Sequence, residues 1–289
     1  GTTLTGMGDG DSVFIAQVLG EGRVDKLASM FDRLHQGMVD QLLAMRMMRD
    51  AFAKDPTYGA FVDPEERYYH GISQGGIFGG TYLAMSTDVE RGVLGVMGMP
   101  YNLLLTRSID FTPFFVLMQT SFSDSRDQRL LTSLVQMMWD RTEPSGYVPY
   151  LREGSPLGAP PHEVLMRAAV GDHQVTTIGG QIMARAVGAH HLESGLRPVV
   201  ALDAVSMMDG GSAYVEYDFG LPPEPLCNIP MSACGDPHGE IRHLPSAISQ
   251  LDAFLRSGRI QNDCPDGVCR FPALSGCENG ETTPVCSTD

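Results

Sequence analysis

A serine between glycines is the residue of this sequence best suited to chemistry. Gly71-Ile-Ser73-Gln-Gly75 follows residues 67–72, which read as a short strand, and residues 77–85 have a helical pattern. G-x-S-x-G between a strand and a helix is typical of a sharp turn that lifts a serine hydroxyl above the end of a sheet. We expect Gly71 and Gly75 to be required, because a Cβ at either position would clash with the adjoining strand or helix.

Two further residues could activate this serine. A serine hydroxyl is a poor nucleophile at neutral pH and needs a base such as imidazole, which in turn needs a carboxylate to hold its tautomer. Asp172 directly follows a predicted strand at residues 163–170. His238, between Pro237 and Gly239, lies in a predicted loop after the extended segment 212–219 and before a helix at 245–255. The order in the chain is therefore serine, acid, histidine.

These assignments have alternatives. Asp172 could instead cap the predicted helix at residues 175–187, a role worth ~1 kcal/mol. His243 competes with His238 as the base, and His173 is a candidate for a supporting group beside the acid. The fallback acids are Asp203, Asp209 and Asp218.

Strands that alternate with helices predict an α/β fold with a parallel sheet, in which reactive groups gather beyond the carboxyl ends of the strands. Residues 24–52 repeat apolar side chains at helical spacing, residues 92–98 read as a buried strand, and residues 198–205 look extended. We expect three parts: a helical lead-in at 1–66, a core at 67–259 with a cap insertion near 108–160, and a cysteine-rich tail at 260–289. The insertion is either plain core or a cap that lines an acyl or aromatic pocket.

Several other residues invite a metal interpretation, but the sequence predicts no metal and no cofactor. Asp9 and Asp11 lie in the glycine-rich stretch 1–11 without the distal glutamate of an EF-hand, so a solvated turn is expected. His190 and His191 lack a nearby third ligand and read as a surface loop.

From about residue 68 to residue 255 the chain resembles the α/β-hydrolase superfamily, of the serine esterase and lipase type. The segments GISQGG, AAVGDHQV and GDPHGEIR carry the resemblance. It implies that Ser73 is the nucleophile, Asp172 the orienting acid, His238 the general base and the Gln74 amide one oxyanion donor. The implied activity is hydrolysis of a small-molecule or lipid-like carboxylic ester through an acyl-enzyme. A serine peptidase of the same fold and a non-catalytic binding or adhesion module are the alternatives.

The chain departs from that family in what precedes the serine. The family places four strands before the nucleophile turn, whereas the 72 residues ahead of Ser73 are mostly helical, and no second oxyanion donor is identifiable. We therefore expect an N-terminal companion fragment of the same precursor to supply the remaining strands. Without it, the serine strand would have an unpaired edge.

The net charge and the cysteines indicate which partners and which compartment to expect. The net charge of −15 disfavours nucleic acid and anionic membrane surfaces as partners, and no apolar run is long enough for a transmembrane segment. All six cysteines follow residue 226, in loop-like sequence, which favours disulfides over zinc and predicts a secreted, periplasmic or cell-surface protein. Pairing of neighbours is the simplest connectivity: Cys227–Cys234, Cys264–Cys269 and Cys277–Cys286.

Overall fold

The computed structural model describes residues 4–277 and 282–286, and its centre is a parallel sheet. The strands are β1 (Tyr69–Ile72), β2 (Arg91–Gly95), β3 (Glu163–Ala169), β4 (His190–Leu192), β5 (Ala204–Val205), β6 (Met207–Asp209), β7 (Ala213–Tyr217) and β8 (Arg259–Gln261). Six of them form one all-parallel sheet in the order β1-β2-β3-β7-β4-β5, while β6 and β8 form a separate antiparallel pair. The expected α/β fold with a parallel sheet is confirmed.

Helices cover both faces of this sheet. The α-helices of the described residues are α1 (Asp9–Gly20), α2 (Ala28–Arg46), α3 (Gln74–Met85), α4 (Tyr101–Thr106), α5 (Thr112–Ser121), α6 (Ser125–Trp139), α7 (Val148–Glu153), α8 (Thr177–Val187) and α9 (Pro245–Ser257). Side chains of α3, α7 and α8 pack on one face of β2, β3 and β7, and those of α9 pack on the other. Along β3 successive side chains alternate between the two cores, as the period of a strand requires: Val164 and Met166 lie on the first face, and Leu165 on the second.

The predicted insertion forms a third core. Side chains of α4, α5 and α6 pack against α1 and α2 and enclose Phe31, whose ring meets Trp139 edge to face at 4.8 Å. A cavity of about 50 Å³ lies among the apolar side chains of α1, α5 and α6. It is well below the ~300 Å³ at which ligand pockets begin, but the insertion also lines a cavity of about 520 Å³ between α5, α6 and the segment at Cys227. The choice between plain core and a cap therefore stays a prediction.

The serine strand lies at the edge of the sheet. β1 pairs in parallel with β2, which overlaps the predicted strand at residues 92–98, and Ile72 lies opposite Gly95. Among the described residues no strand pairs with the other edge of β1, where His70 is exposed.

Three local predictions were wrong. The predicted loop at residues 1–11 gives way to α1 at Asp9, and residues 1–3 lie outside the described residues. Asp11 is not in a solvated turn, because its carboxylate accepts the backbone N–H groups of Gly6 and Gly8 and pairs with Arg33, whereas nothing is described of the Asp9 side chain. His190 and His191 form β4 rather than a surface loop, since the strand fits between β7 and β5.

Three disulfides are present, but only one neighbour pairing is correct. Cys264–Cys269 is as predicted, whereas the other bridges are Cys227–Cys286 and Cys234–Cys277. The Leu274 N–H donates to the Phe219 carbonyl and the Gly235 N–H to the Ser275 carbonyl, so the tail lies against the segment between β7 and α9 and brings Cys277 beside Cys234. Cys227, earlier in that segment, pairs with Cys286, later in the tail, so the two bridges are nested.

None of the helices in residues 4–277 and 282–286 has both the length and the apolar character that crossing a bilayer requires. Disulfides of this number are typical of an oxidising compartment.

Candidate active site

Ser73 occupies a strained turn between β1 and α3. Its backbone has φ 59° and ψ −125°, in a region that non-glycine residues rarely adopt, and α3 begins at the next residue. The Ser73 N–H donates to the Gly95 carbonyl at 3.0 Å, and the Ser73 carbonyl accepts from Ile77 in the first turn of α3. These two bonds hold the serine at the carboxyl end of the sheet. Such strain is concentrated at functional sites, which makes Ser73 a candidate for function.

Glycines allow β1 and α3 to lie this close together, but of the two expected glycines, Gly71 and Gly75, only Gly71 is required. A Cβ on Gly71 would lie 2.1 Å from the Gly75 carbonyl oxygen, an impossible contact. A Cβ on Gly75 would meet only the Tyr69 hydroxyl at 4.0 Å, so the predicted clash at Gly75 is wrong. The helix instead needs Gly76 and Gly79, where a Cβ would lie 2.4 Å from the Gly95 carbonyl oxygen and from the Tyr69 ring, respectively.

Asp172 and His238 meet beyond the carboxyl ends of β3 and β7. The His238 Nδ1 lies 2.8 Å from Oδ2 and 3.0 Å from Oδ1 of Asp172. Both residues are buried, with 1% of Asp172 and 6% of His238 exposed. The Asp172 carboxylate also accepts the backbone N–H groups of Gln174 and Val175, at 2.8 and 2.9 Å. With Nδ1 donating to the acid, the Nε2 of His238 is left to exchange protons with a nucleophile.

The surroundings of His238 favour its protonated form. Burial alone would lower the pKa of His238, but the hydrogen bond to Asp172 and the charges of Asp172 and Asp236 outweigh burial and raise that pKa above its ordinary value. Arg242 opposes this increase. The arrangement therefore stabilises the imidazolium that proton transfer from a serine would create.

Asp236 links the two loops that carry the acid and the histidine. Its Oδ1 accepts the backbone N–H of His238 at 3.0 Å and that of His173 at 3.3 Å, and its Oδ2 accepts the side-chain amide of Gln174 at 2.8 Å. Sequence reasoning missed this residue. The available signal was an aspartate two residues ahead of the histidine, a position from which a short side chain reaches the backbone N–H two residues on.

The structure brings Asp172 and His238 together, but it does not join Ser73 to them. The hydroxyl of Ser73 makes no hydrogen bond within the described residues. Ser73 is nevertheless close to this pair in the fold, since Ile72, the residue before it, lines one small cavity together with His238 and Val96. Catalytic hydrogen bonds are often long without substrate and tighten only when it binds.

Gln74 begins α3, so its N–H is one of the first helical donors, which have no partner within the helix. Its side chain donates to the Tyr101 hydroxyl at 3.1 Å. The Tyr101 ring stacks on Trp139 of the insertion, with centroids 3.9 Å apart. The insertion therefore helps to position the residue that follows Ser73.

The rival residues occupy other places. His243 is exposed at the end of a 3₁₀ turn, and the Nε2 of His173 lies 3.1 Å from the Ala233 carbonyl oxygen. Asp172 is not the N-cap of α8, which is Thr176. Of the fallback acids, Asp218 pairs with Arg270, Asp209 lies in β6, and the Asp203 carbonyl accepts the N–H of His191; none contacts His238 in the described part of the chain.

Comparison with known proteins adds no family: no protein-family model and no curated protein matches this chain.

Proposed function

We propose that this chain is a serine hydrolase of the α/β-hydrolase type that cleaves carboxylic esters. The observation that carries the proposal is the buried hydrogen bond between Asp172 and His238, made at the same carboxyl edge of a parallel sheet as the strained turn of Ser73. The order serine, acid, histidine, after β1, β3 and β7 respectively, supports it, because α/β-hydrolases have that order along the chain.

Each residue has a defined step in this proposal. The Ser73 Oγ attacks the ester carbonyl while His238 Nε2 takes its proton, and Asp172 stabilises the resulting imidazolium. The N–H of Gln74, at the positive end of the α3 dipole, donates to the oxyanion. The imidazolium then protonates the leaving alkoxide, which departs as the alcohol. Water hydrolyses the acyl-enzyme by the same route in reverse.

We also propose that a strand from a companion segment of the same precursor pairs with the outer edge of β1, and that the protein acts outside the cytoplasm. The first part is supported by the unpaired edge of β1 among the described residues, because the backbone N–H and C=O groups on such an edge can pair with a further strand. The second is supported by the three disulfides.

A fluorophosphonate probe tests the central proposal, because it phosphonylates a serine activated by a neighbouring base. We expect adduct on the peptide that contains Ser73, loss of labelling in Ser73→Ala and His238→Ala, and no change in the matched control Ser133→Ala, which alters an exposed serine on α6. Folded wild-type protein that takes up no probe at Ser73 would overturn the proposal and favour a binding or adhesion module.

Rates on matched ester and amide substrates then separate esterase from peptidase. Faster turnover of the amide, relative to its uncatalysed hydrolysis, would favour the peptidase.

A further inference from the structure

The outer edge of β1 presents backbone groups to which another strand could bind. The Ser73 N–H donates to Gly95 in β2, and backbone groups alternate between the two edges of a strand, so those of His70 and Ile72 face away from β2. In the described part of the chain no strand pairs with this edge, and His70 is exposed there. Such an edge is a template for the addition of a further strand.

A buried cation lies behind this edge, on the side of the sheet that α9 covers. Arg167 in β3 is only 2% exposed, and its Nη1 donates to the Ala247 carbonyl of α9 at 2.7 Å. Its Nη2 reaches across β2 to within 3.3 Å of the Nε2 of His70. Arg167 forms no ion pair with an Asp or Glu in residues 4–277 and 282–286. A buried charge without a counter-charge is costly, so the field of Arg167 acts uncompensated on the groups near it.

Arg167 determines which nitrogen of His70 carries the proton. A guanidinium only donates, so Nε2 accepts and the neutral ring keeps its proton on Nδ1. Burial and the charges of Arg167 and Arg242 lower the pKa of His70, which keeps the ring neutral. The two ring nitrogens are directed to opposite sides, so the Nδ1–H points away from Arg167. Within the described residues this N–H has no acceptor.

The charge at this edge is positive, although the chain as a whole carries −15. Arg242 is exposed in the 3₁₀ turn Ile241–His243, and among the described residues no carboxylate opposes its effect and that of Arg167 on the pKa of His70. A strand with a carboxylate beside His70 would gain a charge-assisted hydrogen bond from the Nδ1–H and attraction from both arginines. A lysine at that place would be repelled.

The neighbours of His70 indicate what should flank the carboxylate. Tyr68 and Ile72 lie on the same side of β1 as His70 and are half-buried against the core under α9. Side chains that lie opposite each other on one face of paired strands pack together. Apolar residues two positions before and after the acid would therefore cover Tyr68 and Ile72.

We propose that the outer edge of β1 binds a strand that carries Asp or Glu opposite His70, with an apolar residue two positions to either side. This inference rests on the companion strand proposed above and gives that strand its chemistry. It does not depend on the reaction proposed for Ser73.

Three capped peptides of the sequence Thr-Val-Thr-X-Thr-Val-Thr, in which X is Asp, Asn or Lys, test the proposal on the whole chain. Binding is followed by NMR of the backbone amides. We expect the Asp peptide to shift the amides of residues 69–73. It should bind about fivefold more tightly than the Asn peptide, because a hydrogen bond to a charged group is the stronger one, and the Lys peptide should bind most weakly.

The possible failures of this experiment can be distinguished. If none of the three peptides shifts these amides, the edge is not a docking site, and the companion strand is overturned with it. Equal affinity for the Asp and Asn peptides would overturn the carboxylate alone. Ester hydrolysis is not measured, so neither result depends on whether Ser73 is a nucleophile.

Variants connect the preference for the Asp peptide to the named groups. His70→Phe keeps a ring but removes the Nδ1–H, and Arg242→Gln removes one of the two charges. We expect the ratio of Asp-peptide to Asn-peptide affinity to fall in both. The matched control is Arg129→Gln, which alters an exposed arginine of α6 without an ion pair in the described residues and should keep the wild-type ratio. A wild-type ratio in His70→Phe would refute recognition through this histidine.

Discussion

Alanine at Gly71 and alanine at Gly75 should have opposite effects on stability, although both glycines belong to the same motif. At Gly71 the new Cβ would lie 2.1 Å from the Gly75 carbonyl oxygen and 2.4 Å from its carbon, so β1 and α3 must separate. Overpacking costs about 1–3 kcal/mol where side chains can move. Here the obstacle is backbone, and we expect a loss of about 3 kcal/mol or more in the free energy of unfolding.

At Gly75 the Cβ has space, because its nearest neighbour is the Tyr69 hydroxyl at 4.0 Å, and the residue lies in the first turn of α3. Replacement of a helical glycine by alanine stabilises by roughly 0.5–1 kcal/mol. At about 2 °C per kcal/mol for a chain of this size, Gly71→Ala should lower the thermal midpoint by about 6 °C or more, and Gly75→Ala should raise it by about 1–2 °C.

The assay is thermal unfolding followed by far-ultraviolet circular dichroism at a fixed scan rate. A Gly71→Ala midpoint within 1 °C of the wild-type value would refute the close approach of β1 and α3 at Gly71. An equal decrease of the midpoint in both variants would instead support the expectation from the motif, that a Cβ clashes at either glycine.

Three predictions concern the site. The pKa of His238 is raised in the fold, so ester hydrolysis should increase with pH through a midpoint above ~6.5. The stability that His238⁺ contributes should be lost as pH rises through that same pKa. A midpoint of the pH–activity curve below pH 6 would contradict the raised pKa. His238→Ala should abolish hydrolysis as fully as Ser73→Ala, by orders of magnitude in kcat, while His243→Ala stays active; the reverse pattern would refute the assignment of the base. Asp236→Asn keeps an oxygen acceptor but loses the charge, so it should lower the pH midpoint of hydrolysis with little loss of kcat, whereas Asp236→Ala should lower kcat about tenfold. Equal kcat in the wild type and both variants would show that Asp236 does not position His238.

Short-range pattern and sheet geometry predicted the parts of the site that depend on them. Glycine spacing identified the turn at Ser73. The rule that reactive groups follow the carboxyl ends of parallel strands placed Asp172 and His238 at one edge, where they meet. The role of the Ser73 hydroxyl as nucleophile stays a prediction. Its contact with His238 depends on how two segments far apart in the chain are placed, which no local sequence pattern determines.

Long-range contacts explain what the sequence did not predict. β4 has three residues and begins with two histidines, so its strand character comes from pairing with β7 and β5 rather than from composition. α1 follows a glycine-rich start and depends on packing against α5, whose Ser121 hydroxyl donates to the Gly20 carbonyl. The disulfide partners of Cys227 and Cys234 depend on the path of the tail, which spacing along the chain does not reveal.

The cysteine-rich tail holds the segment that carries the histidine. The connection from Tyr217 at the end of β7 to Pro245 at the start of α9 has only short 3₁₀ turns and exceeds the ~15 residues usual for a loop. Two of the three disulfides join this segment to the tail, whereas no cysteine lies in the six-stranded sheet. Mild reduction should therefore lower ester hydrolysis, by loosening the loop at His238, before the far-ultraviolet signal of the sheet and helices changes. Activity and circular dichroism measured along one reductant series compare the two transitions, and loss of both at the same reductant concentration would show that the tail stabilises the whole fold rather than the histidine loop.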